Sequence, residues 1–149
     1  MNNAIGDEPL GSITPTGFLQ PLVVGKKILL VEDDAFVREI ASEILESAGC
    51  CVLTARNAAS AKSASEYRQI HLLISDVVLP GQNGFQLAED LRKNNPAMKV
   101  ILMSGYPQNA VARSIPRQNG VAYLPKPFTA DALLKKVREV LDDPGPRVI

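Results

Sequence analysis

Short apolar runs alternate with amphipathic stretches along the chain from Lys26 onward. Five of these runs are rich in branched residues and too short for helices, which is typical of buried strands: 27–32, 51–55, 72–76, 99–103 and 121–125. Stretches with apolar residues at helical spacing lie between them and after the last one. This alternation predicts an α/β fold in which a parallel sheet is covered by helices on both faces.

The helix boundaries are indicated by caps and breakers. The first helix should end at Gly49, and Thr129 is placed to cap the last helix. An Ala- and Ser-rich helix is expected near 58–67. Pro116 forbids a regular interior turn, so a helix in 107–120 should stop near Ser114 after about two turns and be mobile.

The two ends of the chain differ from its centre. Residues 1–24 mix Gly, Pro, Ser and Thr without a regular period, which predicts a flexible tail or linker. Because residues 18–24 are apolar, a segment that docks on the domain or on a partner is the alternative. We expect one domain over 25–143 and a short tail over 144–149.

Composition narrows the choice of partners. The 149 residues are 46% hydrophobic, and 16 basic residues balance 16 acidic ones. With no basic run and no apolar run of membrane-spanning length, we expect neither nucleic acid nor membrane as a partner, and a cytoplasmic location. Cys50 and Cys51 fit no disulfide framework or metal spacing and are predicted to be buried, inert strand residues.

Polar residues follow the predicted strands at one edge of the sheet. The first strand runs into Glu32 and Asp33, the third ends in Asp76, the fourth in Ser104, and the fifth runs into Lys126. Converging carboxylates repel one another unless a cation lies between them, and few oxygen ligands with room for water suit Mg²⁺. An aspartate beside Mg²⁺, a lysine and a hydroxyl is suited to accepting a phosphoryl group, so Asp76 is the candidate acceptor.

Four motifs in order carry a resemblance to a known family: LLVEDD, ISDVVLPGQNGF, VILMSGY and YLPKPF. Together they resemble the receiver domains of two-component response regulators over residues 27 to about 142. The resemblance implies a flavodoxin-like (βα)5 doubly wound parallel sheet of strand order 2-1-3-4-5. It also implies that a histidine kinase or histidine phosphotransfer protein donates the phosphoryl group to Asp76.

The same resemblance implies roles at the metal site. Glu32 and Asp33 match the family's acidic pair, with Asp33 a direct Mg²⁺ ligand and Glu32 acting mostly through water. The backbone carbonyl of Val78 matches a third protein ligand beside Asp76. Asp34 is instead expected at the start of the first helix, where an acid favours the helix dipole.

Further roles follow from the resemblance at the phosphoryl group. Ser104 matches the hydroxyl that hydrogen-bonds it, Lys126 matches the lysine that pairs with it, and the Lys126–Pro127 bond should be cis. Tyr123 matches the switch aromatic that turns inward when Ser104 moves. The surface made by the fourth helix, the fifth strand and the last helix would then change and engage a partner.

In the family that the chain resembles, the positions two residues after Asp76 and two after Ser104 flank the phosphoryl group and can be polar, whereas here they hold Val78 and Tyr106. Val78 cannot orient water by hydrogen bonding, and Tyr106 can obstruct it. We therefore expect slow loss of the phosphoryl group by hydrolysis. His71 begins the third strand at the opposite edge, where a role in phosphoryl relay is not expected.

Other classes of function fit the sequence less well. A Mg²⁺-dependent aspartate-nucleophile phosphatase needs a second Asp two residues after the first, where Val78 stands, and a flavin or dinucleotide binder needs a glycine-rich phosphate loop. A receiver-like scaffold that takes no phosphate is disfavoured because the full set of acidic residues, Glu32, Asp33 and Asp76, is present.

The motifs MSGY and YLPKPFT are similar to those in receivers of hybrid histidine kinases, which favours a relay role. We expect no enzyme activity beyond self-phosphorylation and slow dephosphorylation, no DNA-binding output domain, and a monomer or weak dimer with a downstream protein target.

Overall fold

The computed structural model describes residues 23–105 and 121–143. The elements in chain order are β1 (Lys27–Val31), α1 (Ala35–Ser47), β2 (Cys51–Ala55), α2 (Ala58–Ser65), β3 (Leu72–Asp76), α3 (Gly84–Arg92), β4 (Lys99–Ser104), β5 (Val121–Pro125) and α4 (Ala130–Asp142). All five predicted strands are therefore confirmed. The helix predicted within 107–120, with its stop near Ser114, and Tyr106 lie outside the described residues.

The five strands form one parallel sheet in the order β2-β1-β3-β4-β5. This is the 2-1-3-4-5 order that the resemblance implied. The order reverses between β1 and β3, so their carboxyl ends flank a crevice where ligands bind in open α/β sheets. The acids that follow β1 and end β3 therefore lie on the two sides of this crevice.

Side chains of the central strands alternate between two apolar layers. Leu29 of β1 and Leu73 of β3 belong to the layer covered by α2 and α3, whereas Ile28 and Leu72 belong to the layer covered by α1 and α4. The side chains of these four residues are fully buried. Burial on both faces explains why the strands are apolar runs without polar alternation.

Polar side chains begin the helices at the expected places. Asp34 caps α1 by accepting hydrogen bonds from the amides of Phe36 and Val37 at 2.9 and 3.1 Å. Thr129 caps α4 through the amide of Ala132 at 3.0 Å. These caps confirm that Asp34 starts the first helix and Thr129 the last.

Cys51 corrects one prediction from the sequence. Cys50 is buried, and burial raises the pKa of its thiol to about 11, but Cys51 is exposed. The reason is its position as the first residue of β2, which lies at the edge of the sheet and pairs there with exposed Lys27. A run of apolar letters does not distinguish an edge strand from a central one.

The end of α2, the Lys126–Pro127 bond and the start of the domain can also be compared with the predictions. The second helix ends at Ser65, two residues earlier than expected, and the Lys126–Pro127 bond is cis as expected. Val23, just before the predicted domain start at residue 25, is buried in the core. Across the described ranges, each helix is too short or too polar to cross a membrane.

Candidate functional site at the carboxyl edge of the sheet

The carboxyl ends of parallel strands bring two acids and a lysine together. Glu32 follows β1, Asp76 ends β3 and Lys126 follows β5. The Lys126 Nζ atom lies 2.6 Å from Glu32 Oε1 and 2.6 Å from Asp76 Oδ1. Glu32 is 1% exposed and Asp76 is 6% exposed, so the ammonium group bridges two carboxylates that are shielded from water.

Backbone contacts fix the position of Glu32. The Asp34 amide donates to Glu32 Oε2 at 3.1 Å, and the Glu32 amide donates to the carbonyl of Ala55 on β2 at 3.0 Å. In addition, the Arg38 guanidinium donates to the Glu32 carbonyl at 2.7 Å. The turn between β1 and α1 is thereby held from both sides. Arg38 was not predicted from the sequence to have a role here, although a cation one turn into the helix is within reach of that carbonyl.

The backbone after Asp76 is fixed equally tightly. The Ser75 hydroxyl donates to the Asp76 carbonyl at 2.9 Å, and the Gly84 amide donates to the Val77 carbonyl at 2.8 Å. A Cβ atom on Gly84 would lie 2.3 Å from the Asp76 carbonyl oxygen, so only glycine fits at the start of α3. Gly84 was not singled out from the sequence, where a glycine after a Pro-Gly loop indicates only a turn.

The buried charges shift one another's pKa values. Burial raises the pKa of Asp76 to about 7, with Glu32 adding to the increase and Lys126 opposing it. Burial also raises the pKa of Glu32, but hydrogen bonding with Asp76 and Lys126 outweighs it, and that pKa lies below its ordinary value. Burial lowers the pKa of Lys126, but the two carboxylates raise it by more. The site therefore holds an excess of negative charge that one lysine only partly offsets.

The donor set suits a small divalent cation. One oxygen atom from each of Glu32, Asp33 and Asp76 lies within 4.8 Å of the others. Two of these acids are buried and Asp33 is exposed, which leaves one side open to water. Carboxylate oxygens with room for water are what Mg²⁺ prefers, so these residues fit that ion.

The other predicted residues lie around this cluster. Val78 follows Asp76 by two residues, and its side chain is 71% exposed. Ser104 ends β4 half-buried, and its carbonyl accepts a hydrogen bond from the Lys126 amide at 2.7 Å. Tyr123 is half-buried on β5, and its ring lies 6.3 Å from that of Phe85 on α3 at an interplanar angle of 52°. The contact with Phe85 was not expected from the sequence.

His71 lies at the opposite edge of the sheet, as expected. It directly precedes β3, and its Nδ1 accepts a hydrogen bond from the Lys27 amide at 2.9 Å. Burial and the nearby charges of Lys26 and Lys27 lower the pKa of His71. This histidine is therefore a structural acceptor at the amino end of the strands.

Comparisons with known proteins agree with this geometry. The sequence profile of a family described as "Response regulator receiver domain" matches residues 28–138. The chain belongs to this receiver-domain family. The crystal structure of the receiver domain from the hybrid histidine kinase CckA is 34% identical, with a TM-score of 0.66, and the match covers 77% of this chain and 98% of that one.

Curated relatives of this receiver domain are much longer proteins. The sensor kinase CckA of Brucella abortus (strain 2308) is 38% identical over an alignment of 120 residues that covers 77% of this chain and 12% of that protein. The DNA-binding transcriptional regulator NtrC of Bradyrhizobium sp. (strain RP501 Parasponia) is 36% identical over an alignment of 123 residues that covers 81% of this chain and 25% of that protein. The chain thus spans a quarter or less of the length of these relatives.

Proposed function

We propose that this receiver domain is a phosphoryl-accepting switch in which Asp76 is the acceptor. The observation that carries the proposal is the position of Lys126 Nζ, 2.6 Å from both Glu32 and Asp76, beside three carboxylates that can share a cation. Such a site neutralises charge on a transferred phosphoryl group. A purely structural cluster would not need to place excess negative charge at the open end of a sheet.

The chemistry is a substitution at phosphorus. One Asp76 oxygen attacks the phosphoryl group of a phosphohistidine on the donor protein, a P–O bond forms, and the P–N bond breaks. The electron pair of the P–N bond returns to the donor imidazole nitrogen, and because the other ring nitrogen of the phosphohistidine carries a proton, the leaving group is a neutral imidazole. The product is an aspartyl phosphate on Asp76, and the neutral imidazole takes no further part.

The residues around Asp76 have separate tasks in this proposal. Glu32, Asp33, Asp76 and the backbone carbonyl of Val78 would hold Mg²⁺, which supplies positive charge to the phosphoryl oxygens when it is bound. Lys126 exchanges its contact with Asp76 for a phosphoryl oxygen. The Ser104 hydroxyl donates a hydrogen bond to another of these oxygens.

Phosphorylation would be read out at a distance from Asp76. Movement of Ser104 toward the phosphoryl group makes room for the Tyr123 ring next to it, and the surface that includes β5 and α4 changes with it. A histidine kinase or histidine phosphotransfer protein is the proposed donor. The target is a protein or a second histidine in a relay, and the likeness to the CckA receiver supports the relay. Absence of nucleic-acid binding, a cytoplasmic location and a monomer or weak dimer remain predictions.

A hydrolase is the competing class. An aspartate-nucleophile phosphatase requires an acid two residues after the nucleophile, and Val78 offers none. A receiver-like scaffold without phosphorylation would not need the cation site. The proposal therefore predicts stoichiometric self-phosphorylation without turnover of simple phosphate esters.

The direct test is incubation with acetyl phosphate and Mg²⁺ followed by intact-mass measurement. Wild type should gain the mass of one phosphoryl group, about 80 Da from the chemistry of phosphorylation. Asp76→Asn should gain nothing, because the amide cannot form an acyl phosphate. Asp131→Asn, at an exposed aspartate in the first turn of α4, is the matched control and should behave as wild type. Equal mass gain in Asp76→Asn would overturn the assignment of the acceptor.

A further inference from the structure

A polar cluster outside the site joins the loop after Asp76 to helix α2. Gln82 Nε2 donates to Asp90 Oδ2 at 2.8 Å, and Lys62 Nζ on α2 lies 2.9 Å from the same oxygen. We call these three residues, Lys62, Gln82 and Asp90, the Asp90 clamp. Lys93 Nζ makes a longer contact of 3.6 Å with the other oxygen, Oδ1.

The clamp holds a part of the loop that has few other means of attachment. Leu79 is buried in the core and Asn83 caps α3, so both ends of the segment between them are fixed. Pro80 has no amide hydrogen, and Gly81 has no side chain and adopts a positive φ of 84°. Gln82 is therefore the residue of this segment whose side chain ties it to the rest of the domain.

The anchors of the clamp belong to rigid elements. Asp90 lies on α3 and Lys62 on α2, so two packed helices set the position of the carboxylate that receives Gln82. The hydrogen bond from Lys62, followed by that from Gln82, lowers the pKa of Asp90 to about 2. The carboxylate is thus ionised at neutral pH and remains a strong acceptor for the Gln82 amide.

We propose that Asp90 is a positioning residue that acts through Gln82 on the 78–82 loop, in which the Val78 carbonyl directly precedes buried Leu79, and thereby raises the affinity of the Asp76 site for Mg²⁺. The proposal rests on the proposed function, because it takes the Val78 carbonyl as a ligand of the ion. Groups that orient metal ligands without touching the metal change affinity measurably. A loop held at Gln82 presents its carbonyl at lower entropic cost than a loop free to move.

The first test measures Mg²⁺ affinity by isothermal titration calorimetry. Gln82→Ala and Asp90→Ala should each weaken binding about tenfold, the lower end of the effect of groups that orient metal ligands. Asp90→Asn keeps an oxygen that accepts the Gln82 hydrogen bond, so its affinity should stay close to that of wild type. Lys93→Ala removes a neighbour that contacts the other Asp90 oxygen, Oδ1, and it is the matched control with unchanged affinity.

The second test needs no ion. Hydrogen exchange in Mg²⁺-free protein should be faster at the Gly84 amide, which donates to the Val77 carbonyl at 2.8 Å, in Gln82→Ala and Asp90→Ala than in wild type and Asp90→Asn. Exchange in the central strand β3 should be the same in all four proteins, which shows that the fold is intact.

The outcomes separate this inference from the proposed function. Equal Mg²⁺ affinity and equal loop exchange in Gln82→Ala and wild type would overturn the positioning role. An Asp90→Asn variant as weak as Asp90→Ala, with Gln82→Ala at wild-type affinity, would also overturn it, because the effect would then run through Lys62 alone. A wild-type protein that binds no Mg²⁺ would instead contradict the proposed metal site, and the exchange experiment would still decide whether the clamp holds the loop.

Discussion

At the scale of single residues, Asp76 carries an unusual electrostatic cost. Its carboxyl group is buried next to Glu32, and the Lys126 ammonium must neutralise both carboxylates. An acid at the end of a buried apolar strand is costly unless it has compensating partners, and the structure supplies them. The remaining excess charge has a measurable consequence for stability.

The stability of the protein without Mg²⁺ should fall as the pH rises from about 5 to about 7. The pKa of Asp76 is raised from 3.8 to about 7 in the folded state, so in this window the folded protein keeps a proton that the unfolded chain has lost. Asp76→Asn lacks this proton and should gain about 1–3 kcal/mol over wild type at neutral pH. Urea unfolding across this pH range, with Asp131→Asn as control, measures the difference. Parallel pH profiles for wild type and Asp76→Asn would contradict the raised pKa.

Val78 is expected to slow the loss of the phosphoryl group. Its exposed side chain stands two residues after Asp76 and cannot orient water. Val78→Asn adds an amide at this place, so hydrolysis should become a few times faster, well short of the ~100-fold of a dedicated general base. The time course of phosphoprotein decay by intact mass measures the rate. Val24→Asn, at another exposed valine, is the control, and an unchanged rate in Val78→Asn would contradict the role of this residue.

At the scale of elements, strands were easier to predict than the loops that connect them to helices. The central strands are continuous apolar runs because both of their faces are buried, so LLISD and KVILM could be recognised as strands from the sequence. The exposed Cys51 was missed because its exposure depends on β2 being an edge strand. Gly84 was missed because its importance comes from a close approach to the Asp76 carbonyl, which no local pattern reveals.

Position 84, at the start of α3 after the loop from β3, should not tolerate a residue larger than glycine. In Gly84→Ala the new Cβ atom would stand 2.3 Å from the Asp76 carbonyl oxygen, and that oxygen is backbone that cannot move independently. We expect a loss of about 1–3 kcal/mol of unfolding free energy. Gly105→Ala, whose Cβ would meet no atom of residues 23–105 or 121–143 within 4 Å, should change stability by less than about 0.5 kcal/mol. Urea unfolding compares the two, and equal losses would show that the close approach is absent.

At the scale of the whole molecule, the sequence predicted which residues converge but not how they are supported. Parallel strands bring their carboxyl ends to one edge, so Glu32, Asp76 and Lys126 could be grouped from their positions alone. The Asp90 clamp could not be predicted in this way. Gln82 and Asp90 are eight residues apart with a helix start between them, and Lys62 comes from another helix, so only packing of α2 against α3 unites them.

The acidic edge of the sheet should couple Mg²⁺ binding to the stability of the entire domain. The unfolded chain cannot bring Glu32, Asp33 and Asp76 within 4.8 Å of one another, so Mg²⁺ binds the folded state preferentially. At a Mg²⁺ concentration ten times the dissociation constant, the free energy of unfolding should rise by about 1.4 kcal/mol. Asp33→Asn removes the exposed carboxylate and should lose most of this gain, while its stability without Mg²⁺ stays close to that of wild type. Thermal unfolding in MgCl₂ is compared with thermal unfolding in NaCl at the same ionic strength, which separates binding of the ion from screening of the carboxylates. An equal gain of stability in NaCl would mean that screening, rather than a bound ion, stabilises the fold.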